Sequence, residues 1–269
     1  MGKREFWGEF LGTFLMVLFG CGAVTVSVLF NSHQGLFPIA AIWGLSISLG
    51  IYATRSLSCA HFNPAVTIAM VVSKRMKARK VPVYLFGQFG GALSAAFLLY
   101  LFFEPSIAAY EAANHIIRGT AASMSTGKMF GEYYQLPGGT AIVSMPLAMF
   151  AEGFGTFVLV LMIFCLTEGC NVGRPNNNSA PLFIGLTVSS LICLIAPLTQ
   201  AGFNPARDLA PRLVAWLAGW GKYAFPDQSG GFFFIYVLAP IIGGLIAAVL
   251  FSYVLEPLMK KEQNSCDCC

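Results

Sequence analysis

The tripeptide Asn-Pro-Ala occurs twice in this chain, at residues 63–65 and 204–206, and each copy lies within strongly apolar sequence. Asparagine is a favoured N-cap residue and proline is favoured at the first helical position, so each copy predicts the start of a helix. A helix that starts inside a membrane leaves its first backbone N–H groups without partners unless protein or water supplies them. Two such starts therefore predict a polar passage through a bilayer.

The chemistry expected of the two motifs is electrostatic and hydrogen-bonding. Each helix start carries roughly half a positive charge, so two starts that point at one spot disfavour cations there. The amides of Asn63 and Asn204 can donate hydrogen bonds to a passing water or hydroxyl, which would interrupt proton hopping along a water chain. The alternative, a simple Asn-Pro turn, suits one copy better than two equivalent ones. Pro64 and Pro205 would be the first residues of the two helices. Ala65 and Ala206 are small enough to let the helix ends approach each other.

Two carboxylates and one guanidinium fall inside apolar segments, where charge is costly and usually functional. For Glu9 and Glu152 a proton relay is conceivable, but we favour a structural role in which each accepts hydrogen bonds from non-helical backbone just before a short helix. Arg207 follows the second motif directly, and its donors suit hydroxyl groups of a neutral solute while repelling cations. The alternative is a salt bridge from Arg207 to Asp208 or Glu152, and Asp208 has the further option of anchoring an outer loop.

Histidine and cysteine do not predict a metal site. His61 lies two residues before Asn63, whereas His33 and His115 fall in predicted loops, so we expect a packed, hydrogen-bonded imidazole at position 61. We expect no metal and no cofactor. Three cysteines at the end of the chain are suited to metal binding, oxidation or lipidation, and we assign them no function: Cys266, Cys268 and Cys269.

Composition places these residues in a polytopic helical membrane protein. Of the 269 residues, 57% are hydrophobic and only 10% are charged, against roughly 25% charged in soluble domains. The net charge of +4 is too small to suggest nucleic-acid binding. The apolar segments contain no paired catalytic acids, HExxH motif or nucleophile with a base, so an enzyme is not expected.

Hydropathy predicts six membrane-spanning helices and two half-spans. Ten helical residues rise about 15 Å, half of the hydrocarbon layer, so the segments that begin at Pro64 and Pro205 and end near residues 73 and 217 are too short to cross. The six predicted spans are residues 7–30, 36–54, 82–103, 145–167, 179–199 and 232–255.

The chain contains a duplicated unit within a single domain of residues 1–269. Residues 8–14 (GEFLGTF) return at 151–157 (AEGFGTF), and each copy leads through two spans to an Asn-Pro-Ala motif. Because each unit, about 5–103 and 145–255, has an odd number of spans, the second must be inserted upside down relative to the first. The short helices then enter from opposite faces and meet at their N-termini.

Basic residues in short loops predict the orientation. Lys74, Arg75, Lys77, Arg79 and Lys80 fall on the same side as both chain ends, so both termini are expected in the cytoplasm. Residues 104–144 are then an extracellular loop, residues 256–269 a cytoplasmic tail, and the expected location is the plasma (inner) membrane.

Three segments carry a resemblance to a known family: AHFNPAVT at 60–67, FNPARD at 203–208 and AWLAGWG at 215–221. They resemble the aquaporin superfamily, or major intrinsic proteins, and within it the glycerol uptake facilitator (aquaglyceroporin) branch. The resemblance implies an all-α channel with six spans and two half-helices. It also implies a homotetramer with one pore per subunit.

By resemblance, four residues narrow the pore towards the outside: Trp43, Ile192, Ala201 and Arg207. Water-selective members usually place histidine where this chain has Ile192. The bacterial glycerol facilitator is expected to have a small second residue and an aromatic third, and Ile192 and Ala201 depart from both. The set is similar to that of nodulin-26-like plant channels, which pass glycerol and small metalloid hydroxides. Trp43 taken alone also suits an interfacial anchor.

The expected function is passive diffusion of glycerol and other small neutral solutes, with some water, and exclusion of ions and protons. The three apolar filter residues would contact a carbon backbone, while Arg207 and a row of carbonyls would bind hydroxyls. The alternatives are a channel chiefly for water, urea or metalloid hydroxides and, from another class, an ion-coupled secondary transporter. The carbonyls belong to Cys59, Ala60, His61, Gln200, Ala201 and Gly202.

Overall fold

The computed structural model describes residues 2–136, 142–225 and 231–263. Among these residues, six helices are long and apolar enough to cross a membrane, which confirms the predicted number of spans. Two shorter helices begin at the Asn-Pro-Ala motifs, as predicted. In chain order the helices are α1 Lys3–Phe30, α2 Leu36–Thr54, α3 Pro64–Val72, α4 Val81–Ala113, α5 Met145–Thr167, α6 Ala180–Thr199, α7 Pro205–Ala215 and α8 Gly231–Lys261.

Helix packing follows the internal repeat. In the first half α1 packs against α2 and α4, and in the second half α5 packs against α6 and α8. The halves meet where α2 packs on α6. Each half-helix packs against a long helix of the other half: α3 packs on α8, and α7 packs on α4. This reciprocal arrangement is that of an inverted repeat, and it brings the starts of α3 and α7 together in the middle of the molecule.

Two glycines in equivalent places allow the long helices of each half to approach closely. A Cβ atom on Gly91 of α4 would lie 2.2 Å from the carbonyl oxygen of Phe10 in α1. A Cβ atom on Gly243 of α8 would lie 1.9 Å from the carbonyl oxygen of Gly153 in α5. Both obstacles are backbone atoms, so no side-chain rotation relieves the clash, and both positions require glycine for close helix packing.

The helix α4 is longer than hydropathy predicts. It continues through Glu104 and Pro105 to Ala113, so the connection on its outer side begins about ten residues later than expected. Ile107 is fully buried in a cluster with Trp220. The carboxylate of Glu111 is also buried and pairs with Arg118 at 2.8 Å. These tertiary contacts compensate for the backbone hydrogen bond that Pro105 removes.

Part of the predicted connection and tail lies outside the described residues. This applies to residues 137–141 of the outer connection and to residues 264–269, with the cysteines Cys266, Cys268 and Cys269. A short helix at Met124–Gly127 lies within the outer connection. The π-helical segment Trp216–Trp220 and the 3-10 segment Gly221–Ala224 follow α7.

Candidate functional site

Hydrogen bonds from the two asparagine side chains join the tips of the half-helices. The side-chain Nδ2 of Asn63 donates to the carbonyl of Phe203 at 2.9 Å, and Nδ2 of Asn204 donates to the carbonyl of Phe62 at 2.8 Å. Each Oδ1 caps its own helix by accepting backbone N–H groups, the nearest at 2.8 Å for Asn63 and 3.0 Å for Asn204. An amide NH₂ has two donors, and each asparagine uses one of them on the opposite half. Nδ2 of Asn204 also donates to Sδ of Met16, a weak acceptor, at 4.0 Å.

The chain before each half-helix adopts the same unusual backbone. Ala60 and Phe62 have φ of 54° and 52°, and Ala201 and Phe203 have φ of 64° and 53°. Residues without glycine's freedom adopt such angles only when the surrounding structure holds them there. In both halves, therefore, two positive-φ residues separated by one residue lie in an irregular strip whose backbone is not used in a helix. In the second half Gln200, just before them, also has a positive φ of 67°.

Two buried carboxylates hold these strips. Glu9 accepts the backbone N–H groups of His61 at 3.0 Å and Phe62 at 2.8 Å. Glu152 accepts the two equivalent N–H groups of the second half at 2.9 and 2.7 Å, and the hydroxyl of Thr199 at 2.6 Å. Both glutamates are fully buried, so they lie behind the strips and do not line a cavity. The backbone carbonyl groups of the strips take no part in these hydrogen bonds to the glutamates.

A cavity of about 670 Å³ runs along the strips and past both asparagine tips. Its wall combines apolar side chains of α2, α5 and α6 with the polar strips and the half-helix tips. Ten of the residues that the sequence analysis assigned to a pore line this cavity: Trp43, Cys59, Ala60, His61, Asn63, Ile192, Ala201, Gly202, Asn204 and Arg207. The eleventh, Gln200, lines a second cavity of about 360 Å³, which is bordered by Lys128 and Glu132 of the predicted outer connection and is called the outer cavity below.

The two cavities meet at the predicted filter. Trp43 and Ile192 line both cavities, whereas Ala201 and Arg207 line only the larger one. The guanidinium carbon of Arg207 lies 4.3 Å from the centre of the Trp43 ring, a cation–π contact. Nη1 of Arg207 is buried and has no hydrogen-bond partner among the described groups. This leaves one strong donor at the junction for a group that enters it.

Arg207 forms its ion pair with Glu132, which is neither of the partners considered from the sequence. The contact joins Nη2 of Arg207 to Oε1 of Glu132, and both side chains are almost completely buried. Asp208 instead pairs with Arg212 at 2.7 Å. Asp208 also accepts the backbone N–H of Glu132 at 2.9 Å, a contact with the predicted outer connection.

The whole arrangement corresponds to a known family. The chain matches the family described as Major intrinsic protein over residues 2–251. The chain belongs to the major intrinsic protein family. This major intrinsic protein is 37% identical to the propanediol uptake facilitator PduF of Salmonella typhimurium over 257 residues, which covers 94% of each chain. It is 35% identical to the glycerol uptake facilitator protein of Escherichia coli K12 over 267 residues, 99% of this chain and 92% of the relative.

A solved structure shares the fold of this major intrinsic protein. The X-ray structure of the aquaglyceroporin from Plasmodium falciparum superposes with a TM-score of 0.83 at 26% identity, covering 97% of this chain and all of the other. The comparison supports the all-helical, six-span architecture with two half-helices. It also agrees with a channel for small neutral solutes, the function expected from the sequence.

The residue of this major intrinsic protein that sequence reasoning missed is Glu132. It lies outside both repeat units and has no motif around it. One signal was available, since it is the only charged residue between Lys128 and Glu152 and has aromatic neighbours at Phe130, Tyr133 and Tyr134. A lone carboxylate among aromatics in a loop indicates burial and a cationic partner.

His61 occupies a packed, hydrogen-bonded position at the side of the larger cavity. Its Nδ1 lies 3.1 Å from the hydroxyl of Thr67, and its ring centre lies 4.9 Å from that of Tyr84. Within residues 2–136, 142–225 and 231–263 no group of three or more His, Cys, Asp or Glu side chains is placed to hold a metal ion.

Proposed function

We propose that this protein is a passive channel for glycerol and related small polyols, with water as a companion, and not an enzyme. The observation that carries this proposal is the two-sided wall of the larger cavity. One side offers the carbonyl strips, the asparagine amides and Nη1 of Arg207, while Trp43 and Ile192 offer apolar surface. A polyol has hydroxyls along one edge and C–H groups along the other, so it matches both sides.

The same two-sided cavity wall and the half-helix ends would exclude ions. An ion would have to give up its hydration shell in a passage with polar groups on only one side, which cannot replace that shell. The positive ends of α3 and α7 oppose cations where the helices meet. The second amide donor of Asn63, and that of Asn204 in place of its weak contact with Met16, would bind a water oxygen there. The hydrogen-bonded chain that protons need is then interrupted at that point.

An ion-coupled transporter also uses inverted repeats and broken helices, but it requires a cation site near the middle of the membrane. Here the midpoint offers amide donors and positive helix ends. Glu9 and Glu152, the acids nearest to it, are fully buried and already accept backbone N–H groups. This arrangement favours passive diffusion over coupling.

The placement of the chain in the cell is also part of the proposal. Basic residues flank the cytoplasmic side in the orientation with both termini inside, and the plasma membrane is the membrane across which a polyol would be taken up. We propose a homotetramer with one pore per subunit. Apolar side chains exposed on the outer faces of the spans, among them Phe37, Phe86 and Leu194, supply surface for lipid or for neighbouring subunits.

Light scattering from proteoliposomes tests the function. Vesicles with the protein should re-swell in glycerol at least about tenfold faster than empty vesicles, which corresponds to a barrier lower by about 1.4 kcal/mol. A sodium or proton gradient should leave the rate unchanged, and accumulation against a glycerol gradient would refute a passive channel. Urea, boric acid and water alone should be run in parallel, because a higher rate for these than for glycerol would favour the alternative selectivity of the filter.

Mercuric ion should block the pore through Cys59. This cysteine is exposed and lines the larger cavity beside the first strip, so a mercury adduct on its sulfur would fill the passage. Glycerol flux should fall to the level of empty vesicles after treatment and recover with excess thiol. Cys59→Ser should be insensitive, whereas Cys193→Ser, at an exposed position that lines neither cavity, should remain sensitive. Inhibition that survives in Cys59→Ser would contradict the assignment.

A further inference from the structure

The ion pair between Arg207 and Glu132 lies at the boundary of the two cavities. Arg207 lines the larger cavity and Glu132 lines the outer cavity, while Trp43 and Ile192 border both. A solute that arrives from the outer cavity therefore passes the carboxylate of Glu132 and then the free Nη1 of Arg207. The pair places an anionic and a cationic side chain side by side next to the filter.

Glu132 is held in this position by contacts on both sides of its backbone. Its N–H donates to Oδ1 of Asp208 at 2.9 Å, and its carbonyl accepts from Nη2 of Arg212. The next residue, Tyr133, donates its N–H to Oε1 of Gln200 at 2.7 Å. Asp208 and Arg212 are themselves fully buried and paired. A carboxylate supported in this way is preorganised at the filter.

The two charged groups differ in what they bind. A guanidinium has only donors, and an ionised carboxylate has only acceptors, two oxygens with about four lone-pair sites. The contact with Arg207 uses Nη2 and Oε1, so it leaves Nη1 as a donor and further lone pairs of the carboxylate as acceptors. A hydroxyl group both donates and accepts, so it can bind either partner.

We propose that Glu132 is a specificity-determining residue that selects solutes with hydroxyls on neighbouring carbon atoms. One hydroxyl accepts from Nη1 of Arg207, and the adjacent hydroxyl donates to the Glu132 carboxylate, while Trp43 and Ile192 contact the C–H edge. The hydroxyls of a 1,3-diol are joined through one more C–C torsion, so a 1,3-diol must either fix that torsion or give up one of the two hydrogen bonds. This inference rests on the proposed function and deepens it, because it names vicinal diols as the preferred class.

A purely structural role for Glu132 makes a different prediction. If the carboxylate only held Arg207 in place, its loss would change the passage of all polyols by a similar factor. If it binds a hydroxyl, its loss changes the ratio between isomers that differ only in hydroxyl spacing. The isomers 1,2-propanediol and 1,3-propanediol have the same atoms, so their permeability ratio separates the two roles.

The experiment measures both propanediols, glycerol and water in proteoliposomes by stopped-flow light scattering. The unsubstituted protein should pass the 1,2-isomer at least about fivefold faster than the 1,3-isomer, the factor expected for one net hydrogen bond. Glu132→Gln should lower the ratio towards one, because a neutral amide oxygen is a weaker acceptor than a carboxylate, while water flux shows that the pore is intact. Glu111→Gln is the matched control, since it removes a buried carboxylate from another ion pair on the outer side that borders neither cavity.

Four outcomes are decisive. A ratio near one in the unsubstituted protein overturns the inference even if Glu132→Gln cannot be prepared. An unchanged ratio in Glu132→Gln, or an equal loss in Glu111→Gln, also overturns it. Failure of glycerol and both diols to pass the unsubstituted protein would refute the proposed function instead, so the two failures are distinguishable.

Discussion

Replacing Arg207 by alanine is expected to widen the filter and to reverse its local charge. The guanidinium stacks on Trp43 at 4.3 Å, so its removal opens space between the two cavities. It also leaves Glu132 without its ionic partner at a site that water now reaches. Larger polyols such as ribitol should enter at least about tenfold faster, a barrier change of about 1.4 kcal/mol. Small cations should begin to leak, which a conductance or dye-quenching assay on the same vesicles would detect.

A double variant separates the effect of the wider filter from the effect of the unpaired negative charge of Glu132. Arg207→Ala with Glu132→Gln has the wider filter without the uncompensated carboxylate. It should keep the faster ribitol entry and lose much of the cation leak, because the leak arises from the negative charge. If ribitol entry in Arg207→Ala equals that of the unsubstituted protein, Arg207 does not form the constriction.

Gly243→Ala is expected to prevent correct assembly of the second half. The added methyl carbon would lie 1.9 Å from the carbonyl oxygen of Gly153, and neither backbone can move without separating α5 from α8. The half-helix α3 packs on α8, so the displacement would also reach the midpoint of the pore. We expect a loss of about 3 kcal/mol or more, seen as low yield in membranes and a lower Tm in detergent.

The matched control is the same substitution at Gly22. There the nearest atom to an added Cβ is Cδ2 of Leu99 at 3.5 Å, an ordinary contact with a flexible side chain. Gly22 lies inside α1, so alanine should be neutral or gain about 0.5–1 kcal/mol from helix propensity. Equal Tm values for the two variants would refute the packing argument.

Much of the fold followed from the sequence because its strongest signals are local. Hydropathy located the six spans, and Asn-Pro-Ala located the half-helix starts at Pro64 and Pro205. The repeated glutamates, Glu9 and Glu152, indicated the duplication, and the odd number of spans per unit then required inversion. These inferences need only chain spacing and the thickness of a bilayer.

The remaining features depend on contacts between distant segments. Hydropathy ended the third span before Pro105, whereas Ile107 and Glu111 hold α4 as a helix to Ala113. The ionic partner of Arg207 could not be chosen from the sequence either, since Glu132 is 75 positions away and has no counterpart in the repeat. The role of the pore residues stays a prediction until transport is measured.

The reciprocal asparagine contacts bear on how such a chain arose. Asn63 bonds to the second half in the same way that Asn204 bonds to the first, which is the self-complementary pattern of a twofold dimer. Two copies of one ancestral half, inserted in opposite directions, would already have made the same pair of bonds. Fusion of two such copies would need only a connecting segment, and Arg207 and Trp43 have no matching residues in the other half.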